Sequence, residues 1–259
     1  MSSSLFIATS GIKAYQGKLD TIANNISNVD SAGYKRREAA FSENLAASIR
    51  QQPEAEKEIG RLSPDGLRVS YGSRIAATPM DLTQGAPKQT DQPFDFMIEG
   101  EGFFQVRRTT GTANEILYTR SGAFQKTPVG PGRFQLVNAN GDVLLGRNGN
   151  PIELNENDTL TVRADGTIEG TGQQIGLVGF SNPQLLKNEG GVYRLTGGNV
   201  FLVPGDTYQI RQGFLEGSNV SLNQEMTDMI KAQRGFQANS RALSYADQMM
   251  GIANGIMRT

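Results

Sequence analysis

Apolar residues in this chain follow two different rhythms. At the C-terminal end Leu222, Met229, Phe236, Leu243, Met250 and Met257 recur every seven residues, and Ala232, Ala246 and Ala253 fill partner positions. Alternate steps of three and four put these side chains on one narrow stripe of a helix, as in a coiled coil. No proline interrupts the run from Val220 to Met257, and Ser221 followed by Gln224 offers a capping box at its start. A matching stripe opens the chain. Leu5, Ala8, Ile12, Tyr15, Leu19, Ile22, Ile26 and Val29 step by three and four, and Ser27, Asn28, Asp30, Ser31 and Gly33 then stop or bend the helix.

Between the two helices the rhythm shortens. From Ile75 to about Arg211, short apolar stretches such as Phe94 to Ile98, Phe103 to Val106, Leu117 to Phe124, Phe134 to Val137 and Ile175 to Phe180 follow at close intervals. Asn140-Gly141, Asn148-Gly149 and Asp165-Gly166 supply hairpin turns, because glycine after Asn or Asp accepts a positive φ. Ser181 to Lys187 reads as a single helical turn. Ahead of this body, Phe41 and Leu45 suggest a short helix, Gln51 to Lys57 is polar, and Gly66 to Gly72 alternates like a strand or hairpin arm.

The predicted fold is therefore mixed: paired long terminal helices, coiled-coil-like, with an irregular all-β middle domain, a sandwich or partly closed barrel. Residues 1–33 and 216–259 form the helical assembly domain, 34–78 a linker region with short strands, and 79–215 the β-rich middle domain. A thin apolar seam alone is a weak support for so long a helix, so the pair calls for neighbours, most simply other copies of the chain.

Composition narrows the chemistry. The 25 basic and 26 acidic residues leave a formal net charge of -1, which favours neither nucleic acid nor an anionic membrane as a partner. The chain contains no Cys, His or Trp. Disulfides and thiolate chemistry are excluded, as are the usual neutral-pH general base and the commonest metal ligand. The start, Met1 to Gly11, carries no signal-peptide pattern, and no stretch is apolar for long enough to span a bilayer. Glu99, Glu101, Asp142, Glu153, Glu156 and Asp158 could supply a carboxylate pair, but no catalytic motif surrounds them. Gly100-Glu-Gly102 reads as a tight turn and not a phosphate loop, and the Asn155 to Asp158 run lacks the spacing of a calcium loop. On these grounds carboxylate or lysine chemistry remains open.

Several stretches carry a resemblance. Ile22-Ala-Asn-Asn-Ile-Ser-Asn-Val29, followed by Gly33-Tyr-Lys35, resembles the N-terminal signature of the flagellar rod and hook family. Gly100 to Val106, Tyr118 to Gln125 and Val178 to Leu186 are similar to signatures of its middle domain, and Gly213 to Val220 and Glu225 to Leu243 to its C-terminal signature. The likeness runs nearly end to end and is strongest to basal-body rod proteins of the distal type, with a proximal-rod paralogue as the alternative within the family. The resemblance implies a structural subunit, with no catalytic residue, cofactor or metal, exported by the flagellar type III apparatus without a cleaved signal. Such a subunit polymerises helically into a drive shaft around the export channel and meets copies of itself, other rod subunits and possible hook subunits. A β-rich surface binding module is the competing class, and an enzyme a weaker one; neither needs paired terminal seams.

The seam residues expected to carry assembly are Leu5, Ile12, Tyr15, Leu19, Ile22, Asn25, Ile26, Leu222, Met229, Phe236, Leu243 and Met250. Candidate contacts to neighbouring subunits are Asn24, Asn28, Gln233, Arg234, Asn239, Arg241 and Phe104. For the amides the plain alternative is helix-end capping, and for the C-terminal polar residues an ordinary solvated face. Phe103 and Phe104 are adjacent in a strand and so face opposite ways. One belongs to the core; the other belongs either to a second buried face or to an intersubunit contact.

Overall fold

The structure is a computed structural model that describes residues 2–44, 46–49, 67–70, 72–110, 113–155 and 160–256. Contacts divide the chain into two compact units, Met1–Ile26 with Arg37–Pro79 and Leu222–Thr259, and Ser27–Arg36 with Met80–Ser221. Leu45, Gln51 to Lys57, Gly66, Tyr71, Glu156, Asp158 and Met257 lie outside the described residues.

The first unit holds helix α1 (Ser2–Ser27), strands β1 (Ala40–Glu43), β2 (Ala46–Ile49), β3 (Leu67–Ser70) and β4 (Ser73–Ala77), and helix α2 (Leu222–Ile256). The two helices pair as the periodicity predicts, and small residues decide how. A Cβ on Gly11 would stand 2.6 Å from Asn239 Oδ1, and one on Gly235 would stand 2.4 Å from Tyr15 Cζ. Asn25 meets Glu225 at 3.1 Å. As the number rises along α1, the partner's number falls by the same step, so the helices run antiparallel in one register. Ala8, Gly11, Ala14, Ala232 and Ala246 are buried in the contact, whereas Leu5, Ile12, Tyr15, Leu19, Met229, Phe236, Leu243 and Met250 are half-buried. Apart from Ile22, which is buried as well, small side chains thus occupy the centre of the seam, and larger ones brace its sides. Glycine within a helix costs roughly 1 kcal/mol relative to alanine, a cost offset here by the close approach it permits.

Two details differ from the sequence reading. Phe41 lies in β1, paired with Ile75 of β4, and not on a short helix. Its ring packs on Tyr15 and under the Lys18 ammonium, so strand pairing and aromatic contact override local helical spacing. Helix α1 ends at Ser27 before Val29, which sits past the turn at Asn28 to Asp30.

The second unit holds β5 (Pro87–Gln89), β6 (Phe96–Gly100), β7 (Phe103–Thr110), β8 (Ala113–Thr119), β9 (Gln125–Gly130), β10 (Arg133–Val137), β11 (Val143–Leu144), β12 (Glu153–Asn155), β13 (Leu177–Phe180), β14 (Leu186–Glu189), β15 (Val192–Leu195), β16 (Val200–Leu202), β17 (Tyr208–Gln212) and β18 (Phe214–Glu216). Ten of these strands form an unclosed sheet in the order β12-β10-β11-β7-β8-β15-β14, with β9, β13 and β16 branching from it; β17–β6 and β18–β5 are separate ladders. The main core gathers Phe96, Ile98, Phe104, Leu117, Leu136, Ile152 and Ile175, and a smaller one gathers Phe103, Tyr118, Val178, Phe180, Leu186 and Tyr193. Gly141, Gly149 and Gly166 all have positive φ, as their turns demand. The expected helical turn is a 3-10 turn at Pro183–Leu185, capped by Asn182.

Gly122 shows how tightly this body is closed: a Cβ there would fall 1.7 Å from the Phe96 carbonyl oxygen. Gly122→Ala is expected to lower the unfolding free energy of the body by about 3 kcal/mol, since backbone cannot yield as a side chain does. Gly130→Ala, where nothing lies within 4 Å, should leave it nearly unchanged. Urea unfolding followed by circular dichroism checks both.

Candidate assembly interface

The helical unit is tied at one end by a buried polar knot. Asn25, 1% exposed, donates to the Arg37 carbonyl at 2.8 Å and accepts from the Arg37 backbone N–H at 3.1 Å. Its amide also donates to Glu225 Oε2 at 3.1 Å, and Glu225 is fully buried. The side chain of Asn25 thus stands in for a strand, receiving the returning chain and pinning it to the first turn of α2. A carboxylate in that turn also suits the partial positive charge of a helix N-terminus. Gln224, expected to close a capping box with Ser221, donates instead to Asp228 Oδ2 at 2.9 Å.

The β-rich unit contains a second knot, charged and also buried. Glu216 in β18 accepts from Lys35 Nζ at 2.6 Å through one oxygen and from Arg120 Nε at 2.5 Å through the other. The first oxygen also takes the Gly85 backbone N–H at 2.9 Å. Lys35 donates further to the Thr83 carbonyl, and Arg120 to the carbonyls of Ile98, Gly100 and Gly102. Burial pushes the Lys35 ammonium below its ordinary pKa, and the contact with Glu216 opposes that shift. One carboxylate therefore holds the segment after α1, the strand before α2 and the turn after β8 in a single arrangement. A cleft of ≈ 290 Å³ lined by Lys35, Arg120, Phe103, Phe180 and Phe201 adjoins it. Both of its cations are already spent on Glu216 and on carbonyl groups.

The residues singled out from sequence fall into three groups. Leu5, Ile12, Tyr15, Leu19, Ile22, Asn25, Ile26, Met229, Phe236, Leu243 and Met250 are brought together along the hairpin, whereas Leu222 remains 39% exposed at its rim. Gln233, Arg234 and Arg241 are exposed on α2. Asn24, also exposed, donates back to the Asp20 carbonyl of its own helix; Asn28 accepts from Ser31 Oγ; and Asn239 donates to the Gly235 carbonyl while packing on Gly11. Phe104 corrects an expectation. It is fully buried in the main core and Phe103 in the smaller one, so both faces of β7 are interior and Phe104 cannot touch a neighbouring subunit.

Lys35, Arg120, Glu216 and Glu225 were not singled out from the sequence, although each lies within a stretch that carries the family resemblance. No local spacing marks them: Lys35 opens a charged run with Arg36, Arg37 and Glu38, and Glu225 sits among polar residues. Three of the carboxylates weighed for catalysis, Glu99, Asp142 and Glu153, have a basic partner. Asp142 receives Arg108 in bidentate fashion at 2.7 and 2.9 Å, and Glu153 meets Arg133 at 3.3 Å. Among the described residues no cluster of acidic residues could hold a metal ion, and no helix is long and apolar enough to cross a membrane.

An antiparallel pair of long helices that leaves large apolar side chains exposed along α2 is the architecture of an assembly subunit. Sequence comparisons agree. Residues 5–35 match the family described as "Flagella basal body rod protein", residues 97–170 the "Flagellar hook protein FlgE/F/G D1 domain", and residues 211–256 the "Flagellar basal body rod FlgEFG protein C-terminal". The chain is 35% identical to flagellar basal-body rod protein FlgG of Borreliella burgdorferi over the full length of both. It is 34% identical to FlgG of Bacillus subtilis over 96% of this chain and 97% of that one. It is 32% identical to the flagellar hook-basal body complex protein FlhP of Bacillus subtilis over 99% of this chain and 100% of that one. The chain belongs to the flagellar rod and hook family. Its role is that of a structural subunit that polymerises, not of an enzyme, and its place is extracytoplasmic.

The Glu216 knot and the first turns of α2 each carry a prediction. Glu216→Gln leaves Lys35 and Arg120 buried without a counter-charge and is expected to cost the β body about 3–5 kcal/mol in urea unfolding. Lys35→Met should cost less, because Glu216 keeps Arg120. In α2, hydrogen bonds from Gln224 and Lys231 hold the Asp228 carboxyl below its usual 3.8. Its stabilising contribution is present above pH 3.8 and is lost as pH falls through the lower folded value. Asp228→Asn should flatten that part of the acid-unfolding curve of the helices, read by circular dichroism.

Proposed function

We propose that this chain is a subunit of the distal rod. There its terminal helical hairpin, α1 with α2, stands beside those of its neighbours and walls the channel through which flagellar proteins are exported. Copies of itself are its main partners, with other rod subunits below and hook subunits above, and the flagellar type III apparatus delivers it. Torque from the rotor then passes along the shaft through hairpin-to-hairpin contacts, with Gln233, Arg234 and Arg241 on the faces turned to neighbours.

The observation that carries this reading is the hairpin itself. Its central seam is closed by Gly and Ala, yet large apolar side chains remain exposed on its outer faces, among them Met226, Ile230, Tyr245, Met249 and Ile252. A helix pair that functioned alone would gain nothing from so much uncovered apolar surface. Near-complete alignment with FlgG proteins of several bacteria supports the distal position.

Deleting the gene in its native bacterium tests the position. Cells are expected to lose motility, and isolated basal bodies should carry shortened rods without hooks, both restored by the intact gene. Full-length rods bearing hooks in the deletion strain would overturn the assignment.

A further inference from the structure

The chain has no Cys, Trp or His, so the thiol, indole and imidazole groups that oxidants attack are all missing. Methionine is the only sulfur it carries, and its eight methionines are unevenly placed. Met1 and Met257 lie outside the described residues. In the β-rich unit Met97 is 3% exposed, and Met80 packs on the smaller core. The others lie on α2. Met229 and Met250 are half-buried on the seam, whereas Met226 and Met249 are 50% and 56% exposed. Each exposed methionine is the middle of an apolar row on the helix surface: Met226 between Leu222 and Ile230, Met249 between Tyr245 and Ile252.

Those two sulfurs meet what oxygen transfer requires. Thioether oxidation needs an open approach to a sulfur lone pair, so exposure governs which methionine reacts. A hydroperoxide supplies the oxygen. The lone pair attacks the distal peroxide oxygen, the S–O bond forms as the O–O bond breaks, and the proton passes to the released alcohol or, from hydrogen peroxide, water. Sulfur is oxidised by two electrons and the peroxide is reduced by two. The extracytoplasmic place of the chain removes it from the thiol pool that keeps cytosolic sulfur reduced. The sulfoxide product is polar, and an apolar neighbour that covered it would leave its oxygen unsatisfied.

We propose that Met226 and Met249 are oxidation sites at which a hydroperoxide disables the outer faces of α2 while the helix pair stays folded. The loss of joining rests on the reading that those faces meet neighbours in the shaft; the sites themselves do not depend on it. An oxidised chain keeps its seam, since Met229 and Met250 are half-buried, yet it presents an oxygen in the middle of each apolar row. Methionine sulfoxide reductases, which remove that oxygen with electrons from thiols, restore the thioether.

Graded hydrogen peroxide applied to the purified chain tests it, with peptide mass spectrometry locating each added oxygen. Met226 and Met249 are expected to oxidise roughly 10-fold faster than Met97, and ahead of Met229 and Met250. At the dose that oxidises only these two, circular dichroism should be unchanged. The concentration at which sedimentation velocity detects self-association should rise about 10-fold, and treatment with sulfoxide reductases for both epimers should reverse the rise. A double variant, Met226→Leu with Met249→Leu, compared with itself before and after the same dose, should show no shift. Met97 or Met80 reacting first overturns the sites. Association unmoved by oxidation at Met226 and Met249, or a double variant as sensitive as the wild type, overturns the switch and leaves the rod reading intact. An unoxidised wild type that never associates overturns the rod reading and the switch with it, while the sites still stand or fall by the order of oxidation.

Discussion

The close approach of α1 and α2 is the constraint on which the helical unit depends. Gly11 gives way to Asn239 and Gly235 to the Tyr15 ring, and Ala8, Ala14, Ala232 and Ala246 fill the remaining centre. With little side-chain volume between the backbones, sliding the helices by one residue would drive Tyr15 or Asn239 into a position that carries a Cβ. Register is thus set by steric exclusion, and the larger apolar residues are released from the centre to the sides. A seam filled by leucine would bury more area and would expose less to a neighbour.

Two buried polar knots complement this packing in different ways. Asn25 and Glu225 join the last turns of α1 to the first turn of α2 through neutral and charged hydrogen bonds. In the β-rich unit Glu216 joins Lys35 and Arg120. Buried charges seldom add net stability over apolar substitutes, because desolvation cancels much of the attraction. Their effect is to penalise every arrangement in which a partner is missing. Both knots draw together residues far apart in sequence, and both lie where the chain leaves or rejoins a long helix. An assembly subunit needs these junctions to be invariant from copy to copy.

Three carboxylates of the β body are held by donors within it. Asp142 is locked by Arg108 and Asn138, Glu153 faces Arg133 and Gln135, and Glu216 is wholly consumed. In Asp142 and Glu216 the charge is met by buried or part-buried donors, the opposite of an arrangement that leaves one carboxyl free to exchange a proton with a ligand. Arg120 and Lys35 line a cleft beside them, yet their donors already point to Glu216 and to main-chain oxygens.

Much of this was legible in the sequence. Steps of three and four determined both terminal helices, since a stripe of that period is buried only if the backbone is helical. Asn-Gly and Asp-Gly pairs placed turns whose glycines do take positive φ, and the absence of Cys and His removed whole classes of chemistry. The quoted stretches led to the family. Tertiary structure decided what periodicity cannot carry. It put alanine and glycine at the centre of the seam and phenylalanine and methionine at its sides, because depth depends on the partner helix and not on hydrophobicity alone. It buried Phe104 as well as Phe103 on a sheet covered on both faces, a choice that two adjacent phenylalanines leave open. It turned Phe41 into a strand residue through pairing with β4. It gathered Lys35, Arg120 and Glu216 around one carboxylate, a meeting of residues as much as 181 positions apart that local spacing does not encode.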